Sequence, residues 1–356
     1  MRRMGTGRAR DTMYSFLNDY SEGAHERILE AMARVNREQA APYGLDTHCE
    51  RARALILAAL ERPESRVHFF TGGTQANLIL LAAALRPHQG VIAAETGHIN
   101  THETGAIEAT GHKVIALKGA AGKLDAASIT ACLAAHEADA NAEHCVQPAM
   151  VYISNPTELG TIYTKAELVA LYAACRAHGT GLYLDGARLG QALVAAGNDM
   201  SLADIAANTS AFTIGGTKMG ALLGEALVVN EPALNADFRY MIKQRGAMLA
   251  KGRLLGIQFE TLFEDGLYFD LARHAVGLGQ RLARGIREKG YAFLAESPTN
   301  QVFPILPKDV IRRMAADYEF SLWQPMDEAH DAVRLCCSWA TPPAQVEAFL
   351  DALPSA

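Results

Sequence analysis

Two charged residues stand where two short apolar segments end. Asp185 closes the apolar run at residues 182–184, and Lys218 follows the run at residues 211–214 after a pair of glycines. Short apolar runs of this kind predict strands buried on both faces of a parallel sheet. Because ligands bind outside the carboxyl ends of such strands, we expect the carboxylate and the amine to face one crevice.

An aspartate and a lysine in this arrangement suit the chemistry of a pyridoxal phosphate enzyme. The lysine amine can hold the cofactor through its aldehyde, and the carboxylate can keep the pyridine nitrogen protonated so that the ring accepts electrons. Either residue alone is read more simply as a turn aspartate or a solvated lysine. Together, the segments Asp-Gly-Ala-Arg at 185–188 and Thr-Lys at 217–218 resemble fold-type I pyridoxal enzymes, specifically the threonine aldolase and β-eliminating lyase group.

A glycine-rich turn at residues 71–74 is the predicted phosphate site. It lies between a predicted strand and a predicted helix, where free backbone N–H groups and the positive helix end bind phosphate. Neither the nucleotide P-loop nor the dinucleotide glycine fingerprint has its required spacing there. The cofactor contacts that the resemblance implies are Gly73, Thr74, His98, Asn155, Asp185, Arg188, Thr217 and Lys218.

Two histidines are candidates for the base that acts on the substrate. His98 follows a predicted strand, where an imidazole can stack on the cofactor ring and accept a proton from a β-hydroxyl group. Members of the resembled family carry a histidine there and a glutamate five residues later, which here is Glu103. His144 precedes Asn155 by a spacing that resembles the family's second active-site histidine. The sequence leaves open which of the two histidines is the base.

An amino-acid substrate brings a carboxylate, for which a bidentate arginine is the best partner. The resemblance implies that Arg334 has this role. At the amino end, the common Arg-Ser-Asp-Thr of the family is replaced by Leu-Asn-Asp-Tyr at residues 17–20. Asn18 then stands where the family has a serine that contacts the substrate carboxylate, and this departure leaves the substrate preference open.

The basic segment at residues 246–253 resembles the stretch that reaches across the dimer in this family. Lys251 or Arg253 would then contact the cofactor phosphate of the neighbouring subunit, and the sequence does not decide between them. The resemblance therefore implies a homodimer or a homotetramer whose sites are shared between subunits.

Composition narrows the class of protein. The chain has 356 residues, a net charge of −6, 49% hydrophobic and 20% charged residues, which predicts a globular protein that binds small molecules rather than nucleic acid. Six cysteines occur without a Cys-x-x-Cys pair, so free thiols and a cytoplasmic location are expected and no metal site is indicated. No transmembrane run is seen, and the basic start has no apolar core like that of a secretory signal.

Strand and helix patterns alternate between residues 67 and 229. This alternation predicts an α/β fold with a mostly parallel, seven-stranded sheet and helices on both faces, as in the fold-type I transferases. The predicted strands are 67–70, 91–94, 114–117, 150–153, 182–184, 211–214 and 227–229. Capping boxes at Thr47 with Glu50 and at Thr164 with Glu167 predict two helix starts, and residues 21–41 predict another helix.

After residue 229 the pattern changes to long helices followed by short strands, which predicts a smaller C-terminal α+β domain. We expect a flexible leader at 1–15, a cofactor-binding large domain at 16–250 and a small domain at 251–356. In the small domain, strands are predicted at 302–306 and 333–336 and helices at 309–317 and 344–353.

The function that the resemblance implies is cleavage of β-hydroxy-α-amino acids of the L-threonine or L-allo-threonine type to glycine and an aldehyde, with Lys218, Asp185 and a histidine as the expected catalytic residues. A β-eliminating lyase would use the same cofactor site but break a Cα–H bond, and an aminotransferase would need a keto-acid partner. A non-catalytic relative of the fold is the alternative from another class.

Overall fold

The computed structural model describes residues 13–356, so residues 1–12 of the predicted leader lie outside the described residues. The strands of the described part are, in chain order, β1 (Tyr14–Ser15), β2 (Arg66–Phe70), β3 (Gln89–Ala94), β4 (Val114–Leu117), β5 (Gln147–Ser154), β6 (Gly181–Asp185), β7 (Ala211–Gly215), β8 (Glu225–Val229), β9 (Gln301–Val302), β10 (Ile305–Pro307), β11 (Tyr318–Glu319), β12 (Ser321–Pro325) and β13 (His330–Cys336). The α-helices of the described part are α1 (Glu26–Arg34), α2 (Thr47–Leu60), α3 (Gly73–Ala84), α4 (His98–Thr101), α5 (Ala126–Ala138), α6 (Lys165–Ala177), α7 (Leu189–Val194), α8 (Leu202–Ala207), α9 (Phe238–Gln244), α10 (Arg253–Phe263), α11 (Leu267–Glu288), α12 (Lys308–Met314) and α13 (Pro343–Ala352).

The central sheet has seven strands in the order β2-β8-β7-β6-β5-β3-β4. All neighbours from β7 to β4 pair in parallel, and β8 runs antiparallel to both β2 and β7. The mostly parallel, seven-stranded sheet predicted from the apolar runs is therefore confirmed.

Alternate residues of the central strands pack into two separate cores. In β6, Leu182 and Leu184 belong to a core that includes residues of α2, α6, α10 and α11, whereas Tyr183 belongs to a core with residues of α3 and α9. Successive side chains of a strand point to opposite faces of its sheet, so the two cores lie on its two sides. Helices cover both faces, as predicted.

Two predicted helix starts have different outcomes. The capping box at Thr164 and Glu167 is present at the start of α6. The box at Thr47 is wrong, because the carboxylate of Asp46 accepts the backbone N–H of Cys49 at 2.9 Å and begins α2 one residue earlier. The first predicted helix is also shorter than expected, since α1 covers residues 26–34.

The C-terminal part builds a smaller sheet in which β13 pairs antiparallel with β9, β10 and β12. A third core lies here and includes Leu282, Leu306, Val333 and Phe349. Strand β12 was not predicted, because its polar residues and terminal proline hide the strand pattern. The division into two domains near residue 250 stays a prediction.

The segment before α1 belongs to this C-terminal part. Tyr14 and Ser15 pair in parallel with Tyr318 and Glu319. The prediction of a flexible leader is thus wrong for these two residues, because backbone hydrogen bonds fix them. No helix within residues 13–356 is long and apolar enough to cross a membrane.

Candidate active site

A cavity of about 330 Å³ opens at the carboxyl ends of β5, β6 and β7. The sequence-predicted residues that line it are Gly73, Thr74, His98, Asp185, Arg188, Thr217 and Lys218. These residues come from separate loops of the central sheet, and the parallel strands deliver them to one edge, as expected for this type of sheet.

Two glycines allow the ends of β6 and β7 to approach each other. A Cβ atom at Gly186 would overlap the carbonyl oxygen of Thr213, and one at Gly215 would overlap that of Ala187. Any larger residue would push the two loops apart. This close approach places the loop after Asp185 against the loop that carries Lys218.

Asp185 is buried and is held by three hydrogen bonds. Its Oδ2 accepts from the side-chain amide of Asn77 at 3.0 Å and from the hydroxyl of Tyr152 at 2.8 Å, and its Oδ1 accepts the backbone N–H of Ala187 at 2.9 Å. Burial alone would raise the pKa of this carboxyl, but the nearby charge of His98 and these hydrogen bonds outweigh it and hold the pKa below its usual value. Asp185 is therefore a preorganised carboxylate.

Asn77 connects Asp185 to His98. Its amide nitrogen also donates to Glu103 Oε1 at 2.7 Å, and its oxygen accepts from the hydroxyl of Tyr183 at 2.6 Å. The same Glu103 oxygen lies 2.7 Å from His98 Nδ1. A carboxylate at Nδ1 favours the tautomer with its proton there, which leaves Nε2 free to accept a proton.

A second carboxylate fixes the backbone of His98. Oε1 of Glu158 accepts the backbone N–H of His98 at 2.9 Å and the hydroxyl of Ser154 at 2.7 Å. Burial raises the pKa of Glu158, and the Ser154 hydrogen bond opposes that effect. The turn that presents the imidazole is thus anchored to the loop after β5.

Lys218 lies in a 3₁₀ turn, Thr217–Met219, directly after β7. No carboxylate oxygen of residues 13–356 lies within 4.0 Å of its amine nitrogen. Burial lowers the pKa of Lys218, and the positive charge of Arg188 lowers it further. A larger fraction of this amine is therefore uncharged near neutral pH than of an exposed lysine.

Arg188 forms a buried pair with a residue that the sequence analysis did not select. Its Nε and Nη2 donate to the two carboxylate oxygens of Asp19 at 2.7 and 2.9 Å, and Asn300 donates to Asp19 at 2.9 Å. Burial alone would raise the pKa of Asp19, but the charge and hydrogen bonds of Arg188 lower it to about 2. Asp19 thereby fixes the guanidinium at the cavity wall.

The predicted phosphate turn has free donors. Helix α3 begins after Gly72 without a side-chain cap, so the N–H groups of its first turn are available to a ligand. Gly72, Gly73 and Thr74 all line the cavity. Thr217, just before Lys218, also lines the cavity. Its hydroxyl accepts the backbone N–H of Gly224 at 3.0 Å.

Asn155 is buried beside the cavity but does not line it. Its side-chain oxygen accepts the backbone N–H of Tyr163 at 3.1 Å, and its amide nitrogen has no partner within residues 13–356. The next residues, Pro156 and Thr157, form the wall instead. The oxygen of Asn155 thus holds the following loop, and its expected contact with the cofactor stays a prediction.

Neither predicted substrate residue lines the cavity. The side-chain oxygen of Asn18 accepts the backbone N–H of Tyr20 at 2.9 Å and so closes a turn, and its role toward a substrate stays a prediction. Arg334 donates to the carbonyl of Leu17 at 3.3 Å, and its guanidinium lies 5.1 Å from the ring centre of Trp323. Its Nε is buried and has no partner among the described residues.

Arg334 belongs to an aromatic cluster that reaches His98. The ring of Trp323 lies 6.4 Å from that of His102, which lies 5.6 Å from that of His98. Burial lowers the pKa of His102, and the charges of His98 and Arg334 add to the effect. The cluster connects the carboxylate-binding candidate to the rim of the cavity.

Three other predicted residues lie away from this cavity. His144 ends a 3₁₀ turn, Ala142–His144, at the amino end of β5, which is about 25 Å of strand from the carboxyl end. His144, the second candidate for the base, therefore lies at the opposite end of β5 from the cavity, and its role stays a prediction. Lys251 and Arg253 lie at a different cleft, where Arg253 donates to the backbone carbonyls of Glu38 and Asn36.

Five residues of the site were not predicted as such: Asp19, Asn77, Tyr152, Glu158 and Glu225. Asn77 follows the predicted phosphate turn by three residues, and Glu158 follows Asn155 by three residues. A polar residue at an otherwise apolar helix position, as in α3, was the signal for Asn77. Tyr152 was assigned only to a predicted apolar strand, because its ring packs in the core while its hydroxyl alone reaches Asp185.

The residues present suit pyridoxal phosphate. A carboxylate held below its usual pKa, a lysine amine with a lowered pKa and an uncapped helix start surround one cavity. These groups match a protonated pyridine nitrogen, an aldehyde and a phosphate, respectively.

Comparisons with known proteins agree with this geometry. The low-specificity L-threonine aldolase of Pseudomonas aeruginosa is 31% identical over 93% of this chain and 94% of its own length. The low-specificity L-threonine aldolase of Pseudomonas sp. strain NCIMB 10558 is 30% identical over 94% of this chain and 96% of its own length. The solved structure of Leishmania major threonine aldolase is 49% identical, with a TM-score of 0.93 over 96% of this chain and 98% of that chain.

A family model also matches most of this chain. The model for the family described as "Beta-eliminating lyase" matches residues 16–308, and both the family and the fold, fold-type I, are those of pyridoxal phosphate enzymes. The chain therefore belongs to the β-eliminating lyase family.

Proposed function

We propose that this chain is a pyridoxal phosphate-dependent threonine aldolase, which cleaves β-hydroxy-α-amino acids such as L-threonine or L-allo-threonine to glycine and an aldehyde. The observation that carries the proposal is the convergence of Lys218, Asp185 and His98 on one cavity. The similarity to threonine aldolases across nearly the whole chain supports the reaction class.

Pyridoxal phosphate, when bound, supplies an aldehyde for an amine and a ring that accepts the electrons released when a bond to Cα breaks. Lys218 would hold the aldehyde, and its lowered pKa provides an uncharged amine for that purpose. Asp185 would keep the ring nitrogen protonated. Gly73, Thr74 and Thr217 would hold the phosphate, and Arg188, fixed by Asp19, would contact the ring's oxygen substituent.

His98 is the proposed acceptor of the β-hydroxyl proton. Glu103 fixes its Nδ1, so its Nε2 is the nitrogen that can take the proton, directly or through water. The His98 side chain is 38% exposed, whereas the Glu103 side chain is fully buried. The imidazole can therefore contact a substrate while the carboxylate that orients it is shielded from solvent.

Arg334 is the proposed partner of the substrate carboxylate. Its hydrogen bond to the carbonyl of Leu17 and its contact with Trp323 hold the guanidinium plane in place, and its buried Nε makes no hydrogen bond within residues 13–356. A planar fork that is already oriented binds a carboxylate with two parallel hydrogen bonds. A lysine cannot make that paired contact.

Replacing Arg334 with lysine is therefore expected to raise KM for the amino acid by roughly 10- to 100-fold, with a smaller change in kcat. Steady-state kinetics with varied L-threonine measures both constants. Arg312→Lys, an exposed substitution on α12 of the same part of the chain, is the control and should leave KM unchanged. An unchanged KM in Arg334→Lys would assign the carboxylate to another residue.

The decisive test of the function is product analysis. The purified protein is given pyridoxal phosphate and L-threonine, and glycine, acetaldehyde, ammonia and keto acid are assayed together. Glycine and acetaldehyde in equal amounts are the expected products. Ammonia with keto acid would indicate β-elimination, and no reaction with cofactor that fails to bind would contradict the proposal.

We also propose that two or more chains share their sites. Lys251 and Arg253 lie away from the cavity of their own chain, which fits a role at the cofactor phosphate of a second copy. Tyr240 is 76% exposed near this region of the sequence, as expected for an aromatic residue that a partner covers. Whether the assembly is a dimer or a tetramer, and whether it acts in the cytoplasm, stay predictions.

A further inference from the structure

One buried acid of the cavity has no part in the network described above. Glu225 begins β8, opposite Gly215 of β7 and Phe70 of β2, and is 3% exposed. It lines the same cavity as Lys218 and Asp185. Its Oε2 is buried and has no hydrogen-bond partner within residues 13–356.

The contrast with the other carboxylates of the site is informative. Asp185 and Asp19 each accept three hydrogen bonds. Oε1 of Glu103 accepts from Asn77 in addition to its contact with His98, whereas its Oε2 has no partner among the described residues. Each of these three acids thus has donors from the chain on at least one carboxylate oxygen. A carboxylate buried without donors pays a large desolvation cost and takes up a proton instead.

The surroundings of Glu225 do not compensate for this lack of donors. The titratable or charged groups that face it are Lys218, Asp185, Arg188, Tyr183 and Tyr268. The negative charge of Asp185 opposes ionisation, and the positive charge of Arg188 is already paired with Asp19. Lys218 makes no ion pair with any acid of the described chain within 4.0 Å.

We propose that Glu225 is held as a neutral carboxylic acid, so that the single proton shared between it and Lys218 resides on the acid and leaves the amine uncharged. The proton balance is internal. An N–H bond of the Lys218 ammonium breaks, an O–H bond forms at Glu225, and an intervening water carries the proton because the groups do not touch. An ion pair becomes two neutral groups, and no oxidant or reductant is needed.

This assignment makes Glu225 a positioning residue that acts through Lys218. It rests on the proposed function only in the role given to that lysine. Burial raises the pKa of Glu225 well above its usual range, which agrees with the geometry. A neutral acid beside the amine keeps it reactive near neutral pH, whereas an ionised one would attract a proton to it.

The first test is infrared spectroscopy of the full-length protein at neutral pH, with wild type compared to Glu225→Gln. A protonated carboxylic acid has a carbonyl stretch separate from that of a carboxylate. We expect a band of this kind in the wild type that is lost in Glu225→Gln. Glu260→Gln is the control, because Glu260 is also largely buried but pairs with His48 and Arg51 outside the cavity and should contribute no such band.

The second test measures the charge of Lys218 by labelling with trace acetic anhydride, on full-length protein freed of cofactor, with the Lys218 peptide quantified by mass spectrometry. Glutamine imitates the neutral acid, so the labelling rate should agree between wild type and Glu225→Gln within about twofold. If Glu225 is ionised, its removal should increase labelling by about tenfold or more, since one pKa unit is a tenfold change. That increase, together with no band difference, would overturn the proposal.

These readouts do not require turnover. If the protein cleaves no amino acid but shows the band and equal labelling, the proposed function fails while the proton assignment stands. If the protein cleaves L-threonine but the carbonyl band is missing, the proton assignment fails while the proposed function stands.

Discussion

Replacement of Lys218 with alanine is expected to abolish cleavage of L-threonine, with kcat lower by about a thousandfold or more. The variant loses the amine that would hold the cofactor aldehyde, and no other lysine lines the cavity formed by the described residues. The visible absorbance that wild type gains with pyridoxal phosphate should be missing as well. Absorbance spectra and product assays on the same samples measure both effects.

The matched control for this variant is Lys165→Ala. Lys165 starts α6, is half exposed and pairs with Asp204, so its removal tests the loss of a lysine outside the cavity. It should retain wild-type spectra and rates. Full activity in Lys218→Ala would refute the assignment of this residue, and a variant that has lost its folded circular dichroism spectrum would be replaced by Lys218→Met, which keeps more of the buried side chain.

The second large effect is expected for stability. Replacing Asp19 with alanine leaves the guanidinium of Arg188 buried without a counter-charge, which should lower the free energy of unfolding by roughly 3–5 kcal/mol. Denaturant unfolding of wild type and variant measures the difference. The exposed pair of Arg281 and Glu347 provides the control, and Glu347→Ala should cause no measurable loss because water screens that pair.

The same pair predicts a pH dependence. The pKa of Asp19 is about 2 in the folded chain and 3.8 in the reference state, so the folded state favours the ionised form. The stability that Asp19 contributes is therefore fully present above about pH 4 and is lost as the pH falls toward 2. Asp19→Asn should remove this part of the acid sensitivity. Equal acid profiles for wild type and Asp19→Asn would contradict it.

The features that could be predicted from the sequence are those that a short segment determines by itself. Strand ends and the loops that follow them are local, so the positions of Asp185, Lys218 and His98 at one sheet edge followed from apolar runs and turn residues. The second capping box followed in the same way, because all of its groups lie within four residues.

Features that join distant segments were not predictable. Asp19 and Arg188 are 169 positions apart, and nothing in either segment indicates the other. His144 shows a related limit, since its spacing to Asn155 matched the family while the direction of β5 places it at the far edge of the sheet. Spacing along a chain does not show on which side of a sheet a residue lies.

The attachment of Asp19 also constrains when this protein can become active during synthesis. Asp19 is synthesised 281 positions before Asn300, which donates to its carboxylate, and β1 waits still longer for β11. Contacts of such high sequence separation form late, because the chain between them must first be ordered. The central sheet can therefore assemble its strands before Asn300 is available, and the anchoring of Arg188 through Asp19 is completed only after the C-terminal part has been synthesised.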